Sequence, residues 1–221
     1  MGHLPNPLEL LFPSLCVLCS APLDGERSVC RHCLESLSPT GLGQWQEGVL
    51  VNAELDNVWC AFRYDEAMET LIHLLKYQGH RRIGYRLSEA VFRLMEGEIP
   101  WGNFDVLVPI PLHRTRLRER GYNQSGVLAR GLGDWSGLPM EDRLVVRHRW
   151  TRSQTGLSLE ERRENVSGSF RTSRAGDGRN VLLVDDVLTS GATASACALA
   201  LRAGGYGEVA VLAVATPLKG E

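Results

Sequence analysis

One segment of this 221-residue chain constrains its fold more than any other: Val-Leu-Leu-Val-Asp-Asp-Val-Leu-Thr-Ser-Gly-Ala-Thr at positions 181–193. Four apolar residues run directly into two carboxylates, Asp185 and Asp186. A short loop of hydroxyls and one glycine follows, and then a helical pattern. A short continuous apolar run reads as a buried strand, and open α/β sheets bind ligands at the carboxyl ends of such strands. Where the hydroxyl–glycine loop opens a helix, the first backbone N–H groups make an anion site. The adjacent acids can hold sugar hydroxyls, a metal ion, or both, so the segment points to a sugar phosphate. The competing reading, a turn carrying two solvated acids, explains the acids but not the whole pattern.

The surrounding chain alternates strands and helices. Residues 58–62 read as a strand. Asp65 can cap a helix whose apolar face is Met68, Leu71, Ile72 and Leu75, with Lys76 in the last turn and Gly79 at the end. Ile83, Leu87, Ala90, Val91 and Leu94 share a face of a second helix. Residues 105–110 form a buried-type strand, with Pro109 and Pro111 marking where its pairing stops. Asn123 can cap the next helix, through Leu128 and Leu132. Residues 144–146 are a short strand, and residues 148–169 are polar with no clear core face. A strand at 180–184, a helix at 192–203 and a strand at 208–215 finish the chain. This order predicts an α/β domain, a mostly parallel sheet flanked by helices on both faces.

The first 50 residues differ: they are rich in Pro, Gly and Ser and lack sustained periodicity. Cys16, Cys19, Cys30 and Cys33 form two C-x-x-C knuckles, spacing that suits one tetrahedral Zn²⁺ held by four thiolates. The alternative, two disulfides, suits an oxidising compartment. A metal would supply folding energy that so small a core cannot. The expected division is a zinc module with linker at 1–50 and the α/β domain at 51–221, with a hinge from Gly41 to about Leu55. His32 is read as a bystander, and Cys60 and Cys197 as small buried hydrophobes. No apolar run is long enough to span a bilayer. The N-terminus lacks the basic start of a signal peptide, so the expected location is the cytoplasm.

Two basic stretches carry further chemistry. Arg114, Arg116, Arg118 and Arg120 alternate along a segment read as a loop after the 105–110 strand, where arginine forks can meet phosphate oxygens. A polar, glycine-containing stretch from Arg149 to Val166 reads as a lid, part of it helical through a Ser158–Glu161 capping box. Residues 113–163 hold eleven arginines against six acids, a net of +5, whereas residues 1–50 hold two against five. A nucleic-acid backbone would seek the former. Arg149, Trp150 and Arg152 are its candidate contacts, Trp150 as a stacking surface; ordinary packing is the alternative for Trp150.

The 181–193 segment resembles the PRPP-binding fingerprint of type I phosphoribosyltransferases (PRPP is 5-phosphoribosyl 1-pyrophosphate), with Ser190 where threonine is commoner. Nearly the whole chain resembles the ComF family of competence-associated proteins. The likeness rests on the cysteine knuckles, Leu75-Lys76-Tyr77-x-Gly79, Val108 to Leu112 with Arg120 to Gln124, Arg152 to Gly156 with Arg163-x-Asn165-Val166, and the Asp185–Asp186 loop. It implies a type I phosphoribosyltransferase-like fold and a structural zinc module. It also implies a role in DNA uptake or use of external DNA, with single-stranded DNA and its uptake or helicase machinery as partners. Under that resemblance Asp185 and Asp186 hold the ribose hydroxyls, directly or through Mg²⁺. Thr189, Ser190, Gly191, Ala192 and Thr193 wrap the 5-phosphate, Arg116 and Arg120 meet the pyrophosphate, and Lys76 is a further phosphate ligand or a cation serving the helix terminus. Two functions stay open: a PRPP-binding protein that does no catalysis, and a phosphoribosyltransferase, a pentosyl-transferring glycosyltransferase, acting on an unknown amine or base.

Overall fold

The computed structural model describes residues 14–23, 28–41, 54–149, 161, 165–166 and 168–217. In chain order the strands are β1 (Val58–Arg63), β2 (Val106–Pro109), β3 (Val145–Arg147), β4 (Phe170–Thr172), β5 (Val181–Val187) and β6 (Val209–Thr216). The helices are α1 (Arg31–Glu35), α2 (Glu66–Tyr77), α3 (Arg81–Met95), α4 (Arg114–Arg120), α5 (Gln124–Ser136) and α6 (Ala192–Ala203). β1, β6, β5 and β2 pair in that order, every pair parallel, while β3 and β4 form a separate antiparallel hairpin sheet.

The pleat of the central sheet divides the core in two. Leu107, Leu182, Val184 and Leu212 face α2, α3 and α5 on one side. Val108, Val181, Leu183 and Val211 face α6 and the β3–β4 hairpin on the other. Burial on both faces explains why β2 and β6 read as unbroken apolar runs. The helix starts follow the expected chemistry. The Asp65 carboxylate accepts the Met68 N–H at 3.0 Å. Asn123 accepts the Ser125 N–H at 3.2 Å and its amide donates to the Ile110 carbonyl at 3.0 Å, which ties the start of α5 to the end of β2.

Three elements differ from expectation. β5 continues through both acids to Val187, because its register with β6 holds as far as Val187 opposite Ala215. The strand expected at 144–146 lies in the hairpin rather than the central sheet, and its partner β4 escaped notice because its three residues bury only Phe170. The N-terminal module also shares the main core: Cys16, Val29, Leu34 and Leu37 pack with α2, α3 and Phe62. Residues 38–40 are stitched along edge strand β1. The Arg63 N–H donates to the Ser38 carbonyl at 2.8 Å, and the Thr40 hydroxyl donates to the Cys60 carbonyl at 2.5 Å. Most of the expected hinge, residues 42–53, lies outside the described residues. Cys60 and Cys197 are buried thiols, and burial pushes Cys60 up to about 12. Among the described residues no helix is long and apolar enough to cross a membrane.

Candidate functional site

The strand order creates a crevice. α6 leaves β5 toward one face of the sheet and α5, following β2, covers the other. β2 and β5 are neighbours whose following helices diverge, which is the switch point where open α/β sheets bind ligands. The loops after these two strands carry the acid pair and the basic segment.

Asp186 is 4 % exposed. One of its oxygens accepts the Val187 N–H at 2.7 Å, and the other forms an ion pair with Lys76 Nζ at 2.9 Å. Burial works against the Lys76 charge, but Asp186 and then Asp185 outweigh it and raise the lysine pKa. Asp185 accepts the Ser125 hydroxyl at 3.0 Å and the Asp186 N–H at 2.9 Å through the same oxygen. Burial, and then the neighbouring Asp186 charge, push Asp185 up to about 7, with Lys76 opposing. The Asp185 carboxyl is thus held above the ordinary carboxylate range, while Asp186 carries an internal counter-ion. Ser125 joins the candidate site through this bond, and nothing in the sequence marks it, since its partner lies 60 positions away.

The loop after β5 has the expected form. Gly191 takes a left-handed backbone (φ 69°) as the N-cap of α6 and supplies no side chain to the helix start. The Ser190 hydroxyl accepts the Ala192 N–H at 3.4 Å. Ser190, Gly191 and Ala192 are buried, Thr193 is half-buried and Thr189 is exposed.

The basic segment after β2 is a helix, which corrects its reading as a loop. His113 caps α4 by accepting the Thr115 N–H, and Gly121 ends it at φ 78°. At 3.6 residues per turn, Arg116 and Arg120 fall on one face, and Arg114 and Arg118 on another. The first pair lines a cavity of about 160 Å³ together with Lys76, Tyr77, Gly79 and Glu119. Arg120 lies over the Tyr77 ring at 5.2 Å and donates to Gln124. Lys76 thus belongs both to the acid pair and to the basic cleft.

At the module, the four cysteine sulphurs lie within 4.8 Å of one another. Cys19 and Cys30 sulphurs are 3.7 Å apart, and the N–H groups of Cys30 and Cys33 donate to Cys16 and Cys30 sulphurs at 3.4 Å. Burial opposes ionisation of Cys16, but backbone N–H groups of Cys30, Cys19 and Leu18 outweigh it and lower the thiol to about 6. Burial and the neighbouring thiols push Cys33 upward. Four crowded sulphurs on two knuckles fit one tetrahedral metal such as zinc. His32 stands outside this set, exposed on α1. Of the candidate nucleic-acid contacts, Arg149 is exposed just past β3, and Trp150 and Arg152 lie outside the described residues, as does most of the expected lid.

No family model matches the chain. Curated relatives do. "DNA utilization protein YhgH" of Escherichia coli K12 is 30% identical over 205 residues, spanning 90% of this chain and 82% of that one. "Competence protein F" of Haemophilus influenzae is 28% identical over 210 residues, spanning 90% and 83%. "Competence protein ComFC" of Bacillus subtilis is 27% identical over 188 residues, spanning 85% and 71%. Among solved structures, a glutamine PRPP amidotransferase from B. subtilis overlaps 64% of this chain and 26% of its own, at 21% identity and a TM-score of 0.38. An adenine phosphoribosyltransferase from Leishmania tarentolae gives 12% identity over 65% and 74%, with a TM-score of 0.36. Overlaps at these scores carry no weight beside the chain's own strand order.

Proposed function

The chain belongs to the ComF family, and from that premise we propose that it binds PRPP in the β2–β5 crevice and serves the handling of external DNA. The observation that carries the ligand is the meeting of three groups at one sheet edge. The acid pair ends β5, a buried hydroxyl–glycine loop opens α6, and Arg116 and Arg120 share a cleft with Lys76. Asp185 receives the ribose hydroxyls, with Asp186 buried behind it against Lys76. Residues 189–193 take the 5-phosphate on backbone N–H groups, as helix starts do. Arg116 and Arg120 meet the pyrophosphate, whose oxygens are also where Mg²⁺ would sit. Zinc holds the four-cysteine module in its packed position.

Titration calorimetry with PRPP tests this reading. The wild-type chain should bind, and the double substitution Asp185→Asn, Asp186→Asn should abolish binding; equal affinity in the two would sink the assignment. Whether the ligand is only bound or also consumed is a separate question. Pyrophosphate release across a screen of amines and bases distinguishes a phosphoribosyltransferase from a PRPP-binding protein.

One observation favours a nucleic-acid contact at the same cleft. Tyr77 is 63% exposed beside Arg120, and Arg81 lies over the Tyr122 ring at 4.5 Å, so two arginine–aromatic pairs stand beside the last turn of α2. A gel shift with single-stranded DNA should weaken with salt and with Tyr77→Ala. Retention of full binding by a variant lacking Tyr77, Arg116 and Arg120 would remove the cleft from the DNA path.

A further inference from the structure

We propose that Lys76 is the resident counter-ion of the acid pair, so that the ligand's sugar is received at Asp185 with no divalent cation on Asp186. This rests on the sugar-phosphate reading and states which part of the ligand needs metal.

Adjacent carboxylates in a partly dry crevice repel, and a cation held beside them relieves that repulsion. A magnesium ion would need carboxylate oxygens open to it, in near-octahedral geometry. Asp186 does not offer them: at 4 % exposure it accepts the Val187 N–H at 2.7 Å on one oxygen, and the other is buried in an ion pair with Lys76 Nζ at 2.9 Å, which leaves half-exposed Asp185 to meet the sugar. The donor set therefore suits an internal ammonium and not a metal bound directly to Asp186.

The lysine is held firmly enough for the role. It stands in the last turn of α2, whose Asp65 cap and buried Leu71, Ile72 and Leu75 fix the helix against the sheet. The Tyr122 hydroxyl donates to the Leu75 carbonyl at the same turn. The choice of residue is informative too. Lysine stands at only two positions, Lys76 and Lys219, among 24 basic residues. An arginine fork suits two oxygens side by side, whereas an ammonium is a compact point charge, closer to a metal ion in shape and field. Its three N–H donors also let one nitrogen serve Asp186 and still address the cleft it lines with Arg116 and Arg120. Lys76 is thus a positioning residue for the acids and a link from the sugar end of the ligand to its phosphate end.

Ribose 5-phosphate isolates the claim, because it carries the sugar and the 5-phosphate without the pyrophosphate. The full chain is titrated with ribose 5-phosphate in buffer with Mg²⁺ and in buffer with none added; no chelator is used, so the cysteine centre is undisturbed. The wild-type affinity should be the same in both. Lys76→Met should lose on the order of tenfold in affinity without metal, the scale of one charge-assisted hydrogen bond, and recover with Mg²⁺. A wild-type chain that needs Mg²⁺ for ribose 5-phosphate overturns the inference. So does a Lys76→Met chain that binds equally well without metal, and so does binding of PRPP with ribose 5-phosphate silent under both conditions. Failure of both ligands to bind the wild-type chain would instead remove the sugar-phosphate reading itself. The wild-type comparison stands even if Lys76→Met does not fold.

Discussion

Two places in this molecule crowd acidic groups together: the sulphurs of Cys16, Cys19, Cys30 and Cys33, all within 4.8 Å, and the adjacent carboxylates of Asp185 and Asp186. At the cysteines the help comes from backbone N–H groups, which lower one thiol and leave another raised. Four thiolates need more than that, and a tetrahedral metal such as zinc would complete the set. At the carboxylates the chain brings its own cation, Lys76, which opposes the upward push that burial and Asp186 exert on Asp185. One cluster is built to be finished by an imported charge. The other is finished from within, and its half-exposed member, Asp185, stays open to a ligand.

The largest expected effect falls on the imported charge. Cys16→Ser should remove the bound metal, counted as zinc per chain by elemental analysis. It should also lower the stability of the whole chain by on the order of 5 kcal/mol, because Cys16 and Leu34 belong to the same core as α2 and α3. A module that melts separately, with the α/β domain unchanged, would break the comparison. Next is the internal charge. Lys76→Met should cost about 3–5 kcal/mol in urea unfolding, since it leaves Asp186 buried and unpaired. Adding Asp186→Leu should recover part of that loss, and simple additivity would show that the two are not coupled.

A pH effect follows from Asp185. Its folded pKa of about 7 lies above the ordinary 3.8, so the folded chain binds this proton more tightly than the unfolded chain. Its contribution to stability therefore falls as pH rises from 3.8 to about 7 and is level beyond that. Asp185→Asn should remove this fall from a series of unfolding curves across pH. The smallest effect belongs to Ser125→Ala, which deletes a hydrogen bond that favours the charged Asp185. It should cost about 1 kcal/mol and move the Asp185 midpoint upward; an unchanged midpoint would mean the hydroxyl does not tune the acid.

What the sequence made legible was local. The β5 run, the Asp65 and Asn123 caps and the cysteine spacing each state their role within a few residues. The basic segment misled because α4 has seven residues and none of them buried, so no apolar period marks it as helical. β4 escaped for the same reason in a strand, with Phe170 alone facing the core. The pairing of Lys76 with Asp186 and of Ser125 with Asp185 could not be read at all. Each joins residues that only the parallel order β6, β5, β2 and the helices on it bring together. The acids named a ligand class in advance, while the cation beside them became visible only in three dimensions.

The place on the chain where the sugar phosphate binds can be found in solution. Hydrogen exchange measured by mass spectrometry on the full chain, with and without PRPP, locates it directly. Slowed exchange should concentrate in residues 185–193, 114–124 and 76–79, with residues 16–23 and 28–33 unchanged. No change at 185–193, or protection centred on the cysteine module, would contradict the account.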